Sequence, residues 1–381
     1  MKFKEFNLRK EHISALKDMY ISSPTEIQSK VIPLMRRGRD LLVQAQTGTG
    51  KTLSFLIPIL ENFSPEEKES CALIIVPTRE LSNQISSVLE YFQKHRELHV
   101  VNACGGHSIH SQQKALERAS NIIVGTPGRL LDLLRRGSIN FKHLSTVVID
   151  EADQIIAFGF LDDLNILMGK LPEKKQVCMF SATISNEVRK ISTSFLKNSL
   201  KIHTSVEEVV LDNIKQIVIK TTDSRRLSSL FHALDTTNPF MCMIFCNSKK
   251  SAEELYRHFI EKKYSRFDLL HGDMSQTKRE KVIKDFKELK TQYLITTDLS
   301  ARGIDIEGIT HVFNYQLPRD IEYYIHRIGR TGRMNREGYA VSFVSPKDEA
   351  MLTKIEKRLS SSFTILYDTK DRERELIKYS F

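Results

Sequence analysis

The segment AQTGTGKT, residues 45–52, sets two glycines, a lysine and a hydroxyl at a spacing suited to gripping a polyphosphate. Gly48 and Gly50 let backbone N–H groups turn inward around phosphate oxygens, where a side chain would block close approach. Lys51 is placed to reach β- and γ-phosphates, and the Thr52 hydroxyl to ligate Mg²⁺. Gln46, Thr47 and Thr49 complete the loop around such a ligand, and Ala45 stands where the strict pattern has glycine. Further on, DEAD at 150–153 ends the apolar run TVVID. Asp150 at such a strand tip suits Mg²⁺ binding, largely through water. Glu151 beside it suits orienting and deprotonating an attacking water. In HRIGRTGR, residues 326–333, Arg330 and Arg333 stand three apart, so on a helical turn both would face one phosphate group. A basic surface helix fits that spacing equally well.

Elements able to hold these groups are visible in the hydrophobic pattern. DLLVQ, CALIIV, NIIVG, TVVID and QVCMF come first, and MCMIFC, FDLLH, QYLIT, THVFN and YAVSFV follow, spaced by helix-length amphipathic segments. Such runs predict buried parallel strands in βαβ units, with ligands beyond the carboxyl ends of the strands. A length of 381 residues accommodates two domains with a full core each. The net charge of +10 points mildly to an anionic partner. Five scattered cysteines without metal-ligand spacing read as core residues, and they fit a reducing compartment. No apolar run reaches the roughly 20 residues needed to span a bilayer, and the charged amino terminus excludes a signal peptide. A cytoplasmic chain without membrane contact is expected.

The ordered set AQTGTGKT, PTREL, TPGRL, DEAD, SAT, TTDLSARGID and HRIGRTGR resembles the DEAD-box ATP-dependent RNA helicases, in a minimal, bacterial-like form. The resemblance covers nearly the whole chain. It implies an α/β architecture of two RecA-like domains, each a parallel sheet flanked by helices, that clasp ATP between them and bind one RNA strand across both. The expected division is a first domain at 1–205, a linker at 206–215, a second domain at 216–365 and a charged tail at 366–381.

Residue roles follow from the same resemblance. MYISSPTEIQ, residues 19–28, matches the Q motif, with Gln28 set to pair with adenine and Tyr20 to stack on it. Met19 and Glu26 depart from that motif's usual glycine and proline. Phe6 resembles an upstream aromatic, and core packing explains it as well as a nucleotide contact. Thr78, Arg79, Gly105, Gly106, Thr126 and Arg129 match RNA-binding loops of the first domain, and Arg279 and Thr297 those of the second. Asp305 matches a position near the ATP ribose. Ser181 and Thr183 match the element coupling nucleotide and RNA sites, with no distinction between them. The implied activity is RNA-stimulated ATP hydrolysis that opens RNA duplexes locally or remodels RNA–protein complexes, by a monomeric motor with little sequence preference. An ATP-gated RNA clamp that rarely unwinds uses the same residues and remains the alternative.

Overall fold

The computed structural model describes residues 2–45, 48–62, 71–106, 108–118, 120–203, 213–301, 306, 308–332, 337–359 and 363–368. The chain divides into two compact units, Met1–Val206 and Glu207–Phe381. Every strand expected from the hydrophobic runs forms. In the first unit these are β1 (Leu41–Gln44), β2 (Ala72–Ile75), β4 (Ile122–Gly125), β5 (Thr146–Ile149) and β6 (Gln176–Ser181). They are joined by β3 (Val100–Ala103) and β7 (Leu200–His203) in one sheet of order β3-β4-β2-β5-β6-β1-β7. All its pairings are parallel. Alternate residues feed opposite layers: Ala72 and Ile74 join one core, Leu73 and Ile75 the other. A sheet buried on both faces explains why the runs are continuously apolar.

Helices cover both faces: α1 (Lys10–Asp18), α2 (Glu26–Arg36), α3 (Lys51–Asn62), α4 (Arg79–Gln93), α5 (Ile109–Arg118), α6 (Pro127–Arg135), α7 (Ala152–Ala157), α8 (Leu161–Gly169) and α9 (Asn186–Phe195). Thr25 caps α2 in a reciprocal box with Gln28, and Thr78 and Ser185 cap α4 and α9 through their hydroxyls. Such caps satisfy amides that the first helical turn leaves unpaired. They also fix where each helix begins relative to its strand.

The second unit repeats the plan. Its strands are β8 (Ile214–Lys220), β9 (Cys242–Cys246), β10 (Phe267–Leu270), β11 (Tyr293–Thr297), β12 (His311–Asn314), β13 (Gly338–Val344) and β14 (Thr364–Tyr367), in the order β10-β11-β9-β12-β13-β8-β14. Its helices are α10 (Arg226–Thr237), α11 (Lys249–Glu261), α12 (Gln276–Lys287), α13 (Asp298–Ala301), α14 (Ile321–Ile328) and α15 (Glu349–Leu359). The fold class expected from the sequence is therefore the one observed, twice over. β8 starts inside the segment 206–215, and β14 reaches into 366–381. Cys242 and Cys246 are buried, and burial raises both thiols, Cys246 to about 12. That agrees with their reading as core residues.

Two buried polar residues organise this unit. Arg327 on α14 is 1% exposed. Its guanidinium pairs with Asp298 at 2.7 Å and donates to Asn247 at 2.9 Å and to the Gln316 carbonyl at 2.7 Å, tying together the ends of β11, β9 and β12. His311 is stacked between Phe313 and Tyr339, with ring centroids 5.9 and 4.9 Å away. Burial lowers its pKa from 6.5 to about 4. Between those values the unfolded chain binds a proton that the folded chain does not, so stability is lost as pH falls. The loss should reach about 3 kcal/mol by pH 4. In His311→Phe this acid-side decline should flatten, as read by denaturant titration at stepped pH; equal declines in both proteins would contradict the assignment.

Candidate functional site

In the first unit, all the strands end on one edge, and the chemistry-bearing loops follow in spatial order. PTREL follows β2, Gly105–Gly106 follows β3 and TPGRL follows β4, side by side. DEAD follows β5, SAT ends β6 and the glycine-rich loop follows β1.

Lys51 begins α3, whose apolar face lies in the core. Its ammonium is buried and finds no hydrogen-bond partner among the described residues. A buried donor without a partner is costly, and a polyphosphate would satisfy it. Gly50 has φ +90°, in the left-handed region, and a Cβ there would lie 2.5 Å from Gln28 Nε2. Gln28 is buried beneath the loop. Its Nε2 donates to the Gly50 carbonyl at 3.0 Å, and its Oε1 accepts from the Thr25 N–H at 2.9 Å. The second amide hydrogen and second lone pair suffice for an adenine edge. Tyr20 is 96% exposed at φ 58°, a conformation uncommon outside glycine. Phe6 packs instead in the core against Phe3, which favours the packing reading of that residue.

Asp150 is buried at the tip of β5. Burial pushes its carboxyl upward, opposed by the Lys51 ammonium and the Glu151 N–H, which donates at 2.9 Å. Glu151 is itself buried and left-handed, with φ 50°. Asp153, to which the sequence reading gave no role, connects DEAD to SAT. One of its carboxylate oxygens accepts from both the backbone N–H and the hydroxyl of Thr183 at 3.1 Å. Ser181 takes the Asp153 N–H at 3.2 Å and donates to the Thr183 carbonyl at 2.7 Å. The two hydroxyls are thus distinguished: Thr183 grips the carboxylate, whereas Ser181 braces the backbone.

The adjacent loops are equally interlocked. The Thr78 hydroxyl accepts the Leu81 N–H at 3.2 Å. The Arg79 guanidinium lies against Gly105, 2.6 Å from where a Cβ would stand. Gly106 has φ +91°. Thr126 precedes α6, and Arg129 on that helix donates to Gln112 at 2.7 Å.

In the second unit Arg279, on α12, is buried and donates to the His271 carbonyl at 3.2 Å. Thr297, at the end of β11, meets the Ser300 hydroxyl at 3.0 Å, while Thr296 is fully buried. The expected helical turn carrying Arg330 and Arg333 lies partly outside the described residues. α14 ends at Ile328, and Arg330 sits in the following turn, buried. Beyond the helix, Gly332 has φ +68° and lies against Ile214, where a Cβ would meet Cγ1 at 2.6 Å. Gln46, Thr47, Asp305 and Arg333 lie outside the described residues.

Known proteins place this arrangement. Residues 25–191 match the DEAD/DEAH box helicase family, and 225–335 the helicase conserved C-terminal domain. The chain is 38% identical over 355 residues to the DEAD-box ATP-dependent RNA helicase CshA of Bacillus subtilis, covering 93% of this chain and 72% of that protein. The chain belongs to the DEAD-box ATP-dependent RNA helicase family. The Geobacillus kaustophilus CshA is 37% identical over 93% of this helicase and 76% of its own length. The solved structure of S. cerevisiae Dbp5 bound to RNA and ADP BeF3 superimposes with a TM-score of 0.89 at 31% identity, covering 99% of this helicase and 98% of that chain. No helix among the described residues is long and apolar enough to cross a membrane.

Gly50→Ala in this helicase should cost about 1–3 kcal/mol, from the left-handed backbone and the displaced Gln28 amide. Thermal unfolding should show part of that loss recovered in a Gln28→Ala background. Fully additive losses would show that the close approach is not the cause.

Proposed function

We propose that this helicase hydrolyses ATP in response to RNA and uses the cycle to open short RNA duplexes or remodel RNA–protein complexes locally. The observation that carries this reading is the order of loops along the first sheet edge. The RNA-binding candidates occupy β3, β4 and β2, the glycine-rich loop occupies β1, and DEAD and SAT lie between them. The Asp153–Thr183 bonds join the two intermediate strands, which supports communication between the flanking sites.

In this reading Lys51 and the amides of Gln46, Thr47, Gly48, Thr49 and Gly50 hold the phosphates of ATP. Gln28 reads adenine with its remaining donor and acceptor, Tyr20 stacks on the base, and Asp305 approaches the ribose. Thr52 and Asp150 would hold Mg²⁺, whose charge would screen the phosphates and favour the ionised form of the buried Asp150. Glu151 orients water and accepts its proton. Arg330 and Arg333 of the second unit stabilise charge on the transferring phosphoryl group, so turnover needs groups from both units. Thr78, Arg79, Gly105, Gly106, Thr126 and Arg129, with Arg279 and Thr297, contact RNA phosphates and sugars. Groups of this kind discriminate little among bases. By linkage, ATP and RNA should each strengthen binding of the other. The expected divisions are 1–205, 206–215, 216–365 and 366–381, the protein acting as a monomer in the cytoplasm.

RNA-stimulated ATPase activity, together with displacement of a strand from a short RNA helix, tests the reading. ATPase activity indifferent to RNA would overturn it, whereas stimulation without displacement would favour the clamp. Glu151→Gln should retain binding of an ATP analogue and RNA while turnover falls by about 10²-fold or more. Wild-type turnover in that variant would remove Glu151 from its role. RNA affinity should fall steeply between 50 and 200 mM salt, as phosphate contacts require. A flat titration would exclude a phosphate-dominated interface.

A further inference from the structure

We propose that Gln112 is a positioning residue for RNA binding, holding the Arg129 guanidinium and the Cys104–Gly105 turn in one fixed relation. The inference rests on the function proposed above, and in it Gln112 itself touches no RNA. Gln112 lies on α5, outside the motifs that define the family resemblance, and is 5% exposed. Its amide is engaged at both ends. Nε2 donates to the carbonyls of Asn102 and Cys104, each at 2.9 Å, while Oε1 accepts from Arg129 Nη1 at 2.7 Å.

A planar amide bonded in this way fixes orientation as well as distance. The two carbonyls lie at the end of β3, immediately before Gly105 and Gly106, and the guanidinium comes from the first turns of α6. One buried side chain therefore sets two phosphate-binding loops against each other. The Asn102 side chain extends the network, its Oδ1 accepting from Ser82 of α4 at 2.7 Å. α4 is the helix that opens with Arg79.

The choice of glutamine has an electrostatic reason. An arginine held in place before RNA arrives loses less rotamer freedom on binding. A neutral amide can hold it without cancelling the charge a phosphate requires. A carboxylate at 112 would hold Arg129 more strongly, neutralise it and set an anion against two carbonyl oxygens.

The test compares the full chain with Gln112→Met, which keeps the side-chain length and removes all three bonds. RNA affinity is read by anisotropy of a labelled single-stranded RNA with a non-hydrolysable ATP analogue present, and analogue affinity is read separately without RNA. RNA affinity should fall about tenfold, and analogue affinity should stay within about twofold of the parent. Added to Arg129→Ala, the same change should cost less than it does in the parent, because only the bonds to the Asn102 and Cys104 carbonyls then remain to be lost. Unchanged RNA affinity, a parallel loss of analogue affinity, or losses that multiply across the double variant would each overturn the inference. Should the methionine variant fail to fold, Gln112→Glu gives the same reading, with RNA affinity again falling while analogue affinity holds. If the parent chain itself binds no RNA, the proposed function fails. If the parent binds and Gln112→Met binds as tightly, only the positioning role fails.

Discussion

An ammonium group buried without a hydrogen bond is an unfavourable thing for a chain to fold around, and among the described residues Lys51 is held that way. Much of the first unit's nucleotide edge compensates for it. The apolar helix α3 anchors the lysine at its first position, close enough to the buried Asp150 carboxyl for its charge to oppose the upward push of burial there. Gln28 holds the Gly50 carbonyl in place and simultaneously closes the cap of α2. Gly50 is therefore held in place before any phosphate arrives.

The parallel sheet then determines what can communicate with what. Because every strand of the first unit runs the same way, the loops that follow its strands leave one edge, in the order in which the strands pair. Asp153 follows Asp150 and Glu151 and is bonded to Thr183 of SAT through one oxygen. The tip of β5 is therefore joined to the end of β6 by two hydrogen bonds of 3.1 Å.

The architecture was legible because buried parallel strands advertise themselves as unbroken apolar runs. Four strands escaped that reading for physical reasons. β3, β7 and β14 lie at sheet edges, where one side lacks a partner and residues such as Asn102, Lys201 and Thr364 interrupt the run. β8 alternates lysine with isoleucine at its start and resembles a polar connection. Motif spacing singled out Lys51, Asp150 and Gln28 by residue type, and all three are buried. Asp153, Gln112 and Arg327 were not found, because their roles depend on which carbonyls and carboxylates the fold brings to them.

Arg327 joins Asp298, Asn247 and Gln316 as a rivet driven through three strand ends. Thr297 and Asp298 are consecutive, so a sideways pull on the outer end of β11 reaches α14 through a single fork of bonds. The turn holding Arg330 begins one residue beyond that fork, bonded to Arg327 through its own N–H. A lysine at 327 would replace the fork with a swivel, since a point charge fixes distance but not angle. The rigidity of that joint lets strain at one strand tip travel as rotation rather than dissipate as slack.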